Sequence, residues 1–156
     1  EALCEKARGD DVLEIANLLC PGNIVVSGSN AACERAAEMA QSMGAMKAIP
    51  LAVAGAFHTR IMRPADEQLA EALADVKMRK PRIPVVSNVD ARPHDDPEEI
   101  RELLIKQILQ PVRWEDSMRY LLAQGVDDFY EVGPGRVLRG LLRRIDRKVA
   151  CQSVDV

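Results

Sequence analysis

The chain has 156 residues, of which 47% are apolar, 29% charged and 3% aromatic. That length fits one domain with a substantial core, and the apolar content excludes a disordered chain. Twenty-one basic against 24 acidic side chains leave a net charge of -3, which excludes a chain whose main task is coating nucleic acid. No apolar run approaches the roughly 20 residues of a membrane span.

Four cysteines, Cys4, Cys20, Cys33 and Cys151, are scattered without a CxxC or a Cys/His cluster, so no metal site is expected. With no secretory signal at the start, they read as reduced thiols in a cytoplasmic setting. The sequence opens on Glu1, without Met, directly in helix-like residues. It is expected to be a piece of something longer.

Residues 2 to 8 read as the tail of a helix closed near Gly9. Ile24-Val25-Val26, after Pro21-Gly22, is a β-branched run that predicts a strand. Ser29 or Asn30 is placed to cap the next helix, in which Ala32, Ala36, Met39, Ala40 and Met43 recur at helical spacing before Gly44. Residues 46 to 53 resemble another strand, confined to an edge or bulge by Pro50. The block 1–53 is thus expected to be helix–strand–helix–strand, most of a split βαβ unit.

The block 54–156 alternates more regularly. Pro64 begins a helix running to about Val76, Ile83 to Val89 predicts a buried parallel strand, and Pro97 starts a helix through Leu109. A helix from Trp114 to Gly125, a strand from Phe129 to Val132, a helix from Gly135 to Ile145 and a strand from Val149 to Cys151 complete the chain. Strands alternating with helices predict an α/β sheet with parallel crossovers.

Two histidines are present. His94 lies in a polar turn, Arg92-Pro93-His94-Asp95-Asp96-Pro97, and reads as a surface residue without function. His58 sits in Val53-Ala54-Gly55-Ala56-Phe57-His58-Thr59-Arg60, after an expected strand and before a helix, where α/β folds gather ligands and catalytic groups. A loop histidine bonded to a carbonyl is the plainer reading. Gln107 continues the inward stripe of Ile100, Leu103 and Leu104, so something polar should face its amide unless it reaches water. Glu131-Val132-Gly133-Pro134-Gly135 ends a strand and leads into a helix, a turn that can aim N–H groups at an anion or simply connect two elements. Arg136, Arg139, Arg143 and Arg147 share one face of the last helix, with Arg144 and Lys148 beside it. Such a face either docks an acidic partner or is solvated.

Taken together and in order, GAFHTRIM, PVVSNV, KQILQPVRW and YEVGPG closely resemble the malonyl-CoA:acyl-carrier-protein transacylases of fatty-acid synthesis. The resemblance runs from about Asn17 to the C-terminus. It implies a partial α/β-hydrolase-like core over 54–156 and an incomplete ferredoxin-like α+β subdomain over 1–53, its first strand missing. It also implies malonyl transfer from coenzyme A, through an acyl-serine, to the phosphopantetheine thiol of an acyl carrier protein. No tightly bound cofactor is implied; the coenzyme A thioester is substrate.

The family's catalytic histidine falls on His58, as base toward serine and acid toward the leaving thiol. The glutamine whose backbone carbonyl orients it falls on Gln107. Phe57 falls on the position associated with acyl choice, where a bulky ring disfavours an α-methyl group and so favours malonyl. Asn17 falls in the family's Asn-x-Asn-x-Pro-Gly-Gln stretch, which reads Asn17-Leu18-Leu19-Cys20-Pro21-Gly22-Asn23 here, with Leu19 and Asn23 replacing polar partners. The arginine face from Arg136 to Arg147 is expected to dock the acidic carrier.

The family's GHSxG nucleophile elbow does not occur in the sequence. It is expected upstream of Glu1, with the arginine that pairs the malonyl carboxylate and the glutamine of the oxyanion hole. This chain alone is therefore expected to be inactive. Two other readings stay open: a non-catalytic fragment or paralogue that binds the carrier, and a polyketide-synthase acyltransferase domain.

Overall fold

The computed structural model describes residues 1–155. Helix α1 (Ala2–Arg8) leads into strand β1 (Leu13–Cys20), a hairpin to β2 (Asn23–Gly28) and helix α2 (Asn30–Ala40). The first block is thus helix–strand–strand–helix, which corrects the expected order. Leu13–Cys20 was not expected as a strand because Asn17 interrupts its apolar run. It is secured from outside itself, by antiparallel pairing with β2 through a two-residue turn whose Gly22 takes φ +73°.

The densest packing lies here. Cys4 and Ala7 of α1, Leu13 of β1, and Ala32 and Ala36 of α2 form a buried cluster, flanked by Ile15, Val26 and Met39. Alanines four residues apart let α2 lie close on the hairpin, and Ser29 caps the helix by accepting from Ala32 N–H at 3.3 Å. Arg35 of α2 closes the far end of α1: its guanidinium donates to the carbonyls of Ala7 and Arg8 and to Asp11, each at 2.7 Å. Those carbonyls are among the acceptors that a helix C-terminus leaves unpaired.

The expected strand over 46–53 is absent: the segment finds no ladder partner and leaves Met46, Ile49, Leu51 and Val53 exposed. A 3₁₀ turn (Arg60–Met62) then enters α3 (Arg63–Ala74). The expected parallel strand over 83–89 reduces to β3 (Val85–Val86), antiparallel to β4 (Pro93–His94), because the chain turns back at residues 87–92. There Ser87 N–H donates to Arg92 O and Ala91, at φ +58°, donates to Ser87 O. Helix α4 (Pro97–Lys106), capped by Asp96, ends three residues short of the expected Leu109.

Strand β5 (Val112–Arg113) lies parallel to β1, pairing Asn17 with Val112, so one three-stranded sheet, β2-β1-β5, takes strands from both blocks. Helix α5 (Trp114–Ala123) follows. Then β6 (Asp128–Val132), α6 (Val137–Ile145) and β7 (Ala150–Val154) form a βαβ unit with five parallel pairs. The chain is α/β with mixed sheet, in line with the expected class. No helix among the described residues is long and apolar enough to cross a membrane, and all four cysteines are free.

His94 is not the idle surface residue expected. Its side chain is 9% exposed and lies between two carboxylates, Asp90 on Nε2 and Glu99 on Nδ1, each at 3.0 Å. The ring ties the β3–β4 turn to the first turn of α4.

Candidate active site

Helix α4 delivers the acceptors of this site. A helix C-terminus carries carbonyls that its own N–H groups do not reach. The carbonyls of Gln107, Ile108 and Gln110 are all taken by one residue, His58. Its backbone N–H donates to Ile108 O at 3.1 Å, and its ring Nδ1 lies 2.8 Å from Gln107 O and 3.1 Å from Gln110 O. Carbonyl oxygens only accept, so Nδ1 carries the hydrogen and the neutral ring leaves Nε2 as its acceptor.

The backbone of His58 is in the left-handed region at φ +63°. A residue with a Cβ is held there only where its surroundings over-determine it, and such positions cluster at functional sites. The next residue supplies part of that constraint. Thr59 is fully buried; its hydroxyl donates to Ala56 O at 2.7 Å and accepts from Ile61 N–H at 3.3 Å, fixing the turn on both sides of His58. Glu14 of β1 reaches the same turn, accepting from Arg60 N–H at 3.1 Å and pairing with its guanidinium at 3.6 Å.

The sequence-predicted pair His58 and Gln107 is therefore brought together. The Gln107 side chain also finds the polar partner expected for it: Asn88 Nδ2–H donates to Gln107 Oε1 at 3.2 Å. A cavity of about 330 Å³ opens at the histidine, lined by Glu14, Ile15, His58, Arg60, Arg63, Leu109, Gln110 and Pro111. Neither Asn17 nor Phe57 is among these. Asn17 is half-buried on β1, and Phe57, 48% exposed, turns toward Gly55 beside the histidine.

Glu14, Thr59, Arg60, Arg63 and Asn88 were missed. Thr59 had a local signal, a short hydroxyl one residue ahead of a helical turn. Glu14 and Asn88 had none, since each meets its partner only through the fold.

Arg143 and Arg144 in the last turn of α6 and Arg147 beyond its end surround Gly140 in a second concavity of about 390 Å³, while Arg139 on the helix and Arg136, its N-cap residue, lie outside it. The expected single helix face is therefore not kept, because the helix ends at Ile145, with extended backbone at Asp146. All five arginines are exposed, and none pairs with a carboxylate among the described residues. Arg144 donates to Pro21 O at 3.2 Å, tying α6 to the β1–β2 turn. The Gly133-Pro134-Gly135 turn is not an open anion site: Glu131 already accepts from Leu138 N–H at 2.9 Å and Arg139 N–H at 3.0 Å. The helix N-terminus is filled by the protein's own carboxylate.

A histidine held by helix-end carbonyls, at a strained position beside a cavity, sits within a chain whose residues 1–151 match the acyl transferase domain. The chain belongs to that family. A relative named malonyl CoA-acyl carrier protein transacylase, from Bacillus subtilis, is 44% identical over 145 residues, covering 93% of this chain and 46% of the relative. The crystal structure of a malonyl-CoA:acyl carrier protein transacylase from Xanthomonas oryzae superposes with a TM-score of 0.93 at 42% identity, over 97% of this chain and 48% of that one. A malonyl-transacylase solved in complex with its type II PKS acyl-carrier protein superposes at 0.92 and 35% identity, over 99% of this chain and 50% of that one. The chain spans about half the length of the acyl transferase relatives it matches.

Proposed function

We propose that this chain is the histidine-bearing part of a malonyl-CoA:acyl-carrier-protein transacylase of fatty-acid synthesis. The observation that carries the reading is the locked ring of His58, with Nδ1 on Gln107 O and Nε2 left as the acceptor. The names of the family relatives supply the substrate class.

In this mechanism Nε2 of His58 takes the proton of a serine hydroxyl as its oxygen attacks the thioester carbonyl of malonyl-CoA. The proton passes to the coenzyme A sulfur as the C–S bond breaks, leaving malonyl-serine. The thiol of the carrier's phosphopantetheine then gives its proton to Nε2 and attacks the malonyl-serine carbonyl. The proton returns to the serine oxygen as it leaves. Gln107 and Gln110 carbonyls keep the ring in the tautomer that each step needs. The serine belongs to a GHSxG elbow in the part of the enzyme that these 156 residues do not contain, and this chain alone is inactive.

The finer assignments belong to the same proposal. Residues 1–53 are part of a ferredoxin-like subdomain, and residues 54–156 part of an α/β-hydrolase-like core. Phe57 limits the acyl group to malonyl, Asn17 contributes to the substrate cleft, coenzyme A arrives as a thioester substrate, and the enzyme works in the cytoplasm. Arg136, Arg139, Arg143 and Arg147 dock the acidic carrier, supported by their exposure and their lack of ion partners among the described residues.

The first test is the intact mass of this chain before and after incubation with malonyl-CoA. Unchanged mass is expected. An adduct on one of its own serines overturns the assignment of the nucleophile to another segment. For the docking face, charge reversal at Arg143 and Arg147 in the complete enzyme is expected to raise KM for the carrier while transfer to a small thiol stays unchanged. Equal loss in both assays sinks the docking assignment.

A further inference from the structure

The loop that holds His58 runs from Gln107 to Arg113, and both of its ends are fastened to one residue. Asn88 donates from its side chain to Gln107 Oε1 at 3.2 Å, and its backbone carbonyl accepts from Arg113 N–H at 3.0 Å. Between these points lie the three carbonyls, of Gln107, Ile108 and Gln110, that bond His58. Asn88 itself is fixed in the 87–92 turn. Ser87 Oγ accepts from Val89 N–H at 3.1 Å, and Asp90, anchored to His94, accepts from Arg92 N–H at 3.2 Å.

A helix end is where backbone most readily frays, and α4 gives up its regular bonding at Lys106, just before these carbonyls. The β1–β5 pairing at Val112 and Arg113 secures only the far side of the loop. The near side is held by the backbone N–H groups of Gln107, Ile108, Leu109 and Gln110, which bond back to carbonyls of α4, and from outside the helix by the Asn88 amide.

We infer that Asn88 is a positioning residue, whose amide clamps the start of the 107–113 loop so that the Gln107 and Gln110 carbonyls hold the His58 ring with Nε2 free. The inference rests on the reading of His58 as proton carrier. Asn88 reaches no reacting atom and acts through Gln107. The clamp is separable from the carbonyl it steadies, because Gln107→Met keeps the backbone acceptor and removes only the side-chain bond. Asn88→Leu removes the same bond from the other side with little change of volume.

The experiment is long-range proton–nitrogen NMR of the two imidazoles in this chain, on the alkaline side of histidine titration, with the His94 ring as internal reference. The unsubstituted chain is expected to give His58 as a single Nδ1–H tautomer. Asn88→Leu and Gln107→Met should each give a mixture of both tautomers, and the double variant no more than either alone. Gln107→Glu, which restores an acceptor for the Asn88 amide, should return the single tautomer. In the complete enzyme the two single variants should lower kcat about five- to tenfold, the scale of one hydrogen bond, with KM for malonyl-CoA unchanged.

A His58 ring that stays wholly Nδ1–H in both single variants overturns the positioning role, even if their melting temperatures fall. Strictly additive effects overturn it as well. Failure of the proton-carrier reading looks different: His58→Ala would leave malonyl transfer intact in the complete enzyme, whatever the tautomers do here.

Discussion

The α1–β1–β2–α2 block and the segment around His58 follow opposite rules. The first is a packed layer in which Ala7, Leu13, Ala32 and Ala36 are at most 3% exposed and an arginine seals a helix end. The second runs through exposed Met46, Ile49, Leu51 and Val53 into a histidine at positive φ, held by bonds to the backbone just beyond α4. Stability is concentrated where side chains are small and fit closely; the candidate chemistry sits where the backbone is strained and a cavity opens. On the proposed reading of His58 as proton carrier, the ring has to keep one nitrogen accessible, and that requirement conflicts with being packed on every side.

Substitutions can pull the two regions apart. The largest effect is expected from His58→Ala in a form of the protein that carries the serine: malonyl transfer should fall by about 10²- to 10⁴-fold, read as kcat/KM, while the denaturation midpoint moves little. The reverse pattern is expected for Gly28→Ala at the end of β2. A Cβ there would collide with the Val12 carbonyl, a backbone atom that cannot move aside alone. A loss of about 3 kcal/mol in denaturant unfolding is expected, with the His58 tautomer unchanged once folded. If Gly28→Ala also disturbs the ring, the two regions are not independent.

Arg35→Ala should cost less, about 1–2 kcal/mol, since it frees the Ala7 and Arg8 carbonyls at a partly solvated helix end. Hydrogen exchange should then quicken in α1 before it quickens in α4.

The smallest effect concerns His94 and is a matter of pH. Burial opposes charge on the ring, yet the hydrogen bonds to Glu99 and Asp90 prevail and hold its pKa above the ordinary value of 6.5. Burial likewise opposes charge on Asp90, but its bonds from His94 and Arg92 N–H hold that carboxyl below 3.8. The stabilisation from the raised His94 is thus complete below about pH 6.5 and fades as pH rises through its folded value. That from Asp90 is present above its ordinary value and fades as pH falls through the lowered one. The stability gap between the unsubstituted chain and His94→Asn should therefore be widest in mildly acidic solution and narrow toward alkaline pH. A gap that is flat with pH would show that the clamp acts through packing alone.

Local signals were enough for α2, α3, α4, α5 and α6, where Ser29, Pro64 and Pro97 mark helix starts and apolar residues recur at helical spacing. They were enough as well for β6, and the Gln107 stripe pointed to a polar partner before one was in view. Strands were harder. Leu13–Cys20 carries no clean alternation and is a strand because β2 and β5 pair with it, whereas 46–53 looks strand-like and has no neighbour. A helix satisfies its backbone within its own segment, and a strand does not.

The same reason divides the site. The sequence by itself determined the helices and the α/β class, which reside in residue types and short-range spacing, and its resemblance to a known family pointed to that family and to His58 and Gln107 as candidates. Tertiary structure alone decided that Nδ1 faces two carbonyls, that Glu14 reaches the turn at Arg60, that Glu131 fills the end of α6, and that Asn88 fastens the loop behind the ring. Each of the contacts made by Nδ1, Glu14 and Asn88 joins segments 19 to 52 residues apart, and no local spacing encodes which of many polar groups a folded chain will bring within hydrogen-bond reach of one another.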